Sequence, residues 1–529
     1  MKYSIYLWIM VFILASPLVA QEKMGMLEGT IISRDMAKNE IIVQHGEVKG
    51  VMGAMTMGYQ VRGQKVATLP KDGTKIGAML HESNGTVWLT DVKPSASHAM
   101  SGMQQERTPM QHEAMPGMQH EMTPMPGMQS MKPDMTGDFL MRQASGTSMN
   151  PAAAPMHMTM TQRGNWMLML HGLAFLNQVV QSGPRGGDKF FSTNWLMGMA
   201  DRPLGGGHLM LRSMLSLEPI TVGKKYPELF QTGETIDNRP IIDAQHPHDF
   251  FMELAAEYAH PLTDKTIGYI YVAPFGDPSL GPVAYPHRAS AAEIPQAALG
   301  HHVQDSTHIA GSVITIGAQS GMLGYAFSGF HGREPDEDRW DIDTGRIDSW
   351  ATRVSFDPSP NWTAQISTGH LRHPEAAEPA NIQRTTASVA YSLPLTAGQW
   401  DSSIVFGHNK KDEGHSLSSL LAETVFRFQD RNYITGRGEI VDKDELFAGQ
   451  SVPAAIAGGK FRIKALTLGY SRDVLMMRGV VGAVGANVTG YGIPGTIRPY
   501  YGNPHSFYVF VRVRGHGDAM HGMGSMHSM

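Results

Sequence analysis

No cysteine occurs anywhere in the 529 residues. That absence excludes disulfides, thiolate metal sites, a cysteine nucleophile and a lipid-modified N-terminal cysteine, so a bound metal has to be held by His, Met, Asp, Glu or backbone. Charge of one sign is lacking too: 43 basic against 48 acidic residues give a formal net of −5. With no basic stripe, nucleic acid is not an expected partner; small ions, a membrane or other proteins are. No nucleophile elbow, phosphate loop, zincin helix or dinucleotide fingerprint stands in a fitting context, so the chain reads as a binding protein and not an enzyme. The apolar run Ile5 to Leu14 is shorter than the roughly 20 residues of a spanning helix. With Lys2 before it and Ala15-Ser16-Pro17-Leu18-Val19-Ala20 after it, it has the order of a secretory signal, so residues 1–20 are expected to be removed on export.

What the chain has in excess is methionine and glycine, 38 and 58 residues, and their uneven distribution divides it. Residues 21–94 read as short β-branched strands with turns between them, such as Gly29-Thr30-Ile31-Ile32-Ser33, Glu40-Ile41-Ile42-Val43-Gln44-His45 and Thr86-Val87-Trp88-Leu89-Thr90. That length suits a small closed, OB-like barrel. Residues 95–162 collapse into Met, His, Pro, Gly and Gln, as in Met115-Pro116-Gly117-Met118-Gln119-His120, and read as a disordered linker. Residues 163–515 alternate in segments of about ten residues, about 14 to 16 strands in all, as in a larger antiparallel outer-membrane-type β-barrel. Arg212, Arg353, Arg512 and Arg514 inside alternating strands suit a polar lumen. Trp340, Trp350, Trp362, Trp400, Tyr433 and Tyr508 near strand ends suit interfacial girdles. A soluble β sandwich is the alternative, since alternation does not say which solvent each face meets. Residues 516–529 form a Met/His-rich tail. The fold class expected is all-β.

The sharpest motif is His45 followed by Met52, Met55 and Met57. Thioethers are soft and uncharged and imidazole is borderline, a set that favours Cu(I), with Ag(I) as the alternative ion. On a strand Met55 and Met57 share a face, and His45, ending the preceding strand, can lie across from them. Methionine as flexible core filler is the plain alternative, but filler does not cluster with a histidine. The region from about Gly25 to Pro94 resembles the periplasmic copper and silver chaperone family of cation efflux systems, whose small barrel binds Cu(I) through one His and the two Met of a Met-Thr-Met run. The resemblance implies His45, Met55 and Met57 as ligands and periplasmic efflux components as partners. It departs at Met52, where the family has a metal-capping Trp; either Met52 supplies a further thioether or the site is more open. The layout of a Met/His-rich segment before a barrel also resembles copper resistance protein B.

In the barrel region, Asp243, His246, His248 and Asp249 fall close together, followed by His287, His301, His302, Asp305 and His308, with His331, His370, His373, His408 and His415 near strand ends. His246 and His248 are the candidate metal ligands among them. The expectation is an envelope protein of copper homeostasis that captures Cu(I) in the periplasm and buffers or exports it at the outer membrane. A porin for another solute, or an envelope metalloenzyme using the barrel histidines, are the alternatives.

Overall fold

The computed structural model of the chain describes residues 23–36, 39–45, 48, 55–72, 74–83, 86–94, 135–376, 380–477 and 479–516. The expected signal at 1–20, Met52, the linker residues 95–134 and the tail from 517 lie outside the described residues. Two units are distinct, Met1–Pro124 and Met125–Met529.

In the first unit β1 (Lys23–Asp35), β2 (Glu40–His45), β3 (Met55–Val61), β4 (Lys75–Ser83) and β5 (Thr86–Pro94) close a barrel in the order β1-β2-β3-β5-β4. β1 is long enough to pair with both β2 and β4, and a bulge between Ile31 and Ser33 bends it from one to the other. Alternate positions point inward, so Leu27, Ile31, Ile41, Val43, Tyr59, Val61, Ile76, Leu80 and Leu89 make one apolar core. Asn39, in the left-handed conformation, turns β1 into β2. Its side-chain amide donates to the Val61 and Gln64 carbonyls at 2.7 and 3.0 Å and its oxygen accepts from the Val66 amide at 2.9 Å, which fixes the end of β3.

In the second unit sixteen strands, from Trp166–Gln181 to His505–His516, close an antiparallel barrel. The last strand pairs with the first from Ser506↔Gln181 to Arg514↔Leu173, and the short strand Met158–Arg163 continues that seam along 166–171. Turns such as 264–265 and 321–322 connect strands at one end; the long connections 216–250, 277–309 and 332–348 stand at the other. Polarity is the reverse of the first unit. Ile316, Ile404 and Leu466 are 56, 58 and 56 % exposed on the outer face, whereas Arg212, Arg353, Arg384, Arg437, Arg512 and Arg514 are buried within. A soluble sandwich cannot leave such a band of aliphatics uncovered; a bilayer covers it. Trp350, Trp362 and Trp400 sit on the outer face as expected of a girdle, and Trp340 stacks on Phe250 in a long connection. Tyr433 and Tyr508 do not: both are buried inside, with phenols donating to Asp473 and Glu228 at 2.8 and 2.7 Å. A polar hydroxyl serves equally at an interface or toward a lumen, and register decided for the lumen.

The lumen is filled. The connection 277–309, buried over most of its length, is bonded to the wall on many strands. Ser328 and Ser367 hydroxyls accept from the Ser279 and Gly281 amides at 2.7 and 2.9 Å. Arg384 donates to the His302 carbonyl at 2.8 Å, Arg437 to the Gln296 carbonyl at 3.0 Å, and Arg512 pairs with Glu293. Residues 135–162, expected to belong to the disordered linker, are ordered as well. A helix, Met135–Met141, buries Phe139 and Leu140, while Gln143 donates to Glu257 at 2.8 Å, Ser145 to Asp277 at 2.9 Å and Arg353 to Thr147 at 2.7 Å. Compositional bias concealed this: a few apolar anchors and small polar groups suffice where the wall supplies buried partners.

Arg437 illustrates how the filling is held, since it also donates to Glu423 at 2.9 Å, and Glu423 lies 2.7 Å from Arg288 of the plug. Arg437→Leu leaves this buried cluster one positive charge short and should destabilise the barrel by about 3–5 kcal/mol. A clear fall in the thermal unfolding midpoint of the detergent-solubilised chain checks this; an unchanged midpoint would contradict it.

Candidate functional site

In the first unit the backbone register sets His45 of β2 opposite Met55 of β3, Val43 opposite Met57 and Ile41 opposite Tyr59. Strand alternation puts positions 55, 57, 59 and 61 on one side of β3, the side on which Tyr59 and Val61 are buried, and His45 is buried with them. The expected neighbourhood of one imidazole and two methionine positions is therefore present in the backbone. Tyr59 was not anticipated: its hydroxyl lies 2.5 Å from His45 Nε2. Burial pushes the Tyr59 phenol up, so it stays protonated and orients the imidazole.

Residues 24–94 match the family model described as copper binding periplasmic protein CusF. The match lies wholly within the first unit. Among solved structures, apo-CusF from Escherichia coli is 21 % identical, over 16 % of this chain and 100 % of that one, with a TM-score of 0.14. An anion-selective porin from Comamonas acidovorans is 11 % identical over 66 % of this chain and 99 % of its own, TM-score 0.42. OmpF of Salmonella typhi in complex with daunomycin is 9 % identical over 67 % and 100 %, TM-score 0.43. No curated protein matches the chain.

The second unit gathers its histidines at one place. His246 and His248, expected as ligands, line a cavity of about 20 Å³ together with His301, His302, His308, Glu234, Asp249, Glu334 and Arg339. Ring centroids are 5.8 Å apart for His246 and His302, 5.4 Å for His248 and His308, 5.2 Å for His301 and His302, and 5.3 Å for His301 and His308. On four of these rings Nδ1 is already engaged: His248 with Glu218 at 3.0 Å, His301 with Asp305 at 2.7 Å, His308 with the Asp305 carbonyl at 2.9 Å, and His246 with the Pro247 carbonyl at 2.9 Å. Anchoring one ring nitrogen fixes the tautomer and leaves Nε2 of His301 and His308 as a donor to a metal, whereas His248 Nε2 lies 3.5 Å from the Tyr285 hydroxyl. His308 Nε2 is buried without a hydrogen-bond partner, as are both nitrogens of His302. His302 Nδ1 lies 3.9 Å from Glu334, and His246 Nε2 3.0 Å from Glu234. Arg339, paired with Glu234 and 3.0 Å from Asp249, balances the carboxylates.

Other expected members lie elsewhere. Asp243 pairs with Arg185 at 2.6 Å, and His287 packs on Trp195 at 4.3 Å. His331, His408 and His415 bond to the Arg346 carbonyl, Ser418 and the Gly458 carbonyl. Glu218, Glu234, Glu334 and Arg339 carried no motif that would have placed them with His246. Among the described residues only Asp336, Asp341 and Asp343 offer three donor atoms within 4.8 Å of one another; that set is on the surface, and the histidine cavity is the wider, enclosed one.

Electrostatics keep most of these rings neutral. Burial, reinforced by neighbouring histidines, holds His301, His302 and His308 below the ordinary imidazole range, though Asp305 works against it at His301 and His308. At His248 burial opposes the charge, but Glu218 outweighs it and raises the pKa. Burial raises the Asp305 carboxyl too, yet the hydrogen bond from His301 and the neighbouring Arg288 guanidinium prevail and hold it at about 2. A neutral imidazole is the form that binds metal. Because His301, His302 and His308 resist protonation only when folded, the unfolded chain binds more protons below about pH 6.5, and stability falls as pH drops through that value. Each such ring contributes up to about 1.4 kcal/mol per pH unit. The thermal midpoint should fall between pH 7 and 5, and the fall should be shallower in His302→Gln/His308→Gln; equal slopes would contradict the assignment.

Proposed function

We propose that the chain is a copper-binding protein of the bacterial envelope, which takes Cu(I), or Ag(I), in the periplasm through His45, Met55 and Met57 and holds metal again inside an outer-membrane barrel. The observation that carries the reading is the register of His45 against Met55, with Met57 two positions on, inside residues that match a copper-binding family model. Neutral soft donors on the inner side of a small barrel bind a monovalent soft ion without burying an uncompensated anion. In the barrel, His246 and His248 act with His301, His302 and His308, and the imidazole set suits copper in either oxidation state.

The barrel's role in this reading is buffering. An open porin needs an aqueous lumen, and here 277–309 occupies it. A metalloenzyme needs room for a substrate beside its metal, and a cavity of about 20 Å³ holds about one water.

Titration of the purified full-length chain with Cu(I), against a chromophoric Cu(I) chelator, tests the first site. Met55→Leu/Met57→Leu should weaken the tightest binding step by more than about a hundredfold, the upper end of what disturbing a ligand's supporting hydrogen bond does. An unchanged tightest affinity would end this reading.

A further inference from the structure

Met158–Arg163, Trp166–Gln181, Asp188–Leu204 and Gly207–Leu215 are neighbours in the barrel wall, and their register builds rows of soft donors across it. Met158, His171, Met197 and Met214 are successive cross-strand partners, and two residues along Met160, Met169 and Met199 form the next row. These rows face the lumen: seven methionines are buried in this one cluster and five more are half-buried against it. On the outer face of the same strands the chain uses leucine, with Leu170 and Leu196 at 51 and 50 % exposure. Where ordinary apolar surface is wanted, leucine serves; methionine is reserved for the inside. His171 Nε2 lies 3.1 Å from Met197 Sδ. Its ring meets Trp195 edge-on at 5.1 Å, and Trp195 also packs at 4.3 Å on His287, both of whose ring nitrogens are buried without a hydrogen-bond partner. The rows continue to Glu253 and Arg212, and Arg212 is shared by two carboxylates, Glu253 at 3.6 Å and Glu257 at 2.9 Å.

We propose that this methionine-lined strip of the inner wall is a second soft-metal site, binding Cu(I) or Ag(I) through His171 Nε2 and the sulfurs of Met158, Met197 and Met214. The metal class rests on the same donor chemistry as the proposed function, but no ligand is common to the two sites. Three rotatable bonds let each methionine turn its sulfur toward an ion without moving the strand. The ion is monovalent and the thioether donors are neutral at any pH, so no thiol or carboxyl ligand in the strip has to lose a proton to bind it.

The test is a titration of the full-length chain, in detergent and labelled with ¹³C in its methionine methyl groups, with Ag(I), a redox-inert probe of the same softness. The chain carries Met55→Leu and Met57→Leu, so that loss of the first site cannot mask or mimic the second. Met197→Leu and Met214→Leu assign the two resonances and, being volume-conserving, preserve the fold. The Met197 and Met214 resonances should shift saturably at about one equivalent of ion per chain, and His171→Leu should weaken that step by at least about tenfold. Resonances of Met197 and Met214 that stay put while those of other methionines move would overturn the proposal, as would saturation unaltered by His171→Leu. The unsubstituted chain, run in parallel, reports the Met55 and Met57 resonances separately.

Discussion

A buried charge must be paired, and in this barrel that requirement organises everything inside the wall. The outer face is given over to Leu, Ile, Val and Phe, so the charged side chains of the strands point into the lumen, where Arg384, Arg437 and Arg512 are almost wholly buried. A guanidinium there needs acceptors from several directions. The wall supplies Glu423, Asn409 and Asp473, and the 277–309 connection supplies the rest: the His302 and Gln296 carbonyls and the Glu293 carboxylate. The plug is thus required by the wall as much as it is held by it. Its position in turn sets His301, His302 and His308 against His246 and His248, which arrive from a different connection.

How much of this was legible in the sequence depended on the range over which each signal acts. The first site lies within thirteen residues, on two strands joined by one connection, so alternation alone puts His45 near Met55 and Met57. The large barrel was legible through arginines at alternate positions among aliphatics. Tyr433 and Tyr508 were misread because a tyrosine near a strand end fits the outer girdle and the lumen alike, and only register separates the two. Residues 135–162 were misread because methionine there has two meanings, ligand in a flexible chain and packing in a folded one. The histidine cavity was half legible: His246 and His248 stand out, but their approach to residues more than fifty positions away depends on a plug that no local pattern announces. Glu218 and Glu334 have no sequence signal, because supporting a ligand takes only a carboxylate placed by the fold.

The two barrels have interiors of opposite polarity. In the first unit the inside is apolar and holds the buried imidazole of His45 beside Tyr59. In the second the inside is a lattice of ion pairs, and the methionine rows form an apolar island within it, bordered by Arg212, Glu253 and Glu257. Ion pairs alone would attract any cation, and hard ones most strongly. Thioethers are poor ligands for hard cations and good ones for Cu(I) and Ag(I), so at the proposed strip selectivity would lie with the sulfurs. His287 packs on Trp195, the ring that His171 meets edge-on. With the lumen filled by a plug bonded to many strands, the sites proposed for the barrel would retain an ion within the wall sooner than pass it through.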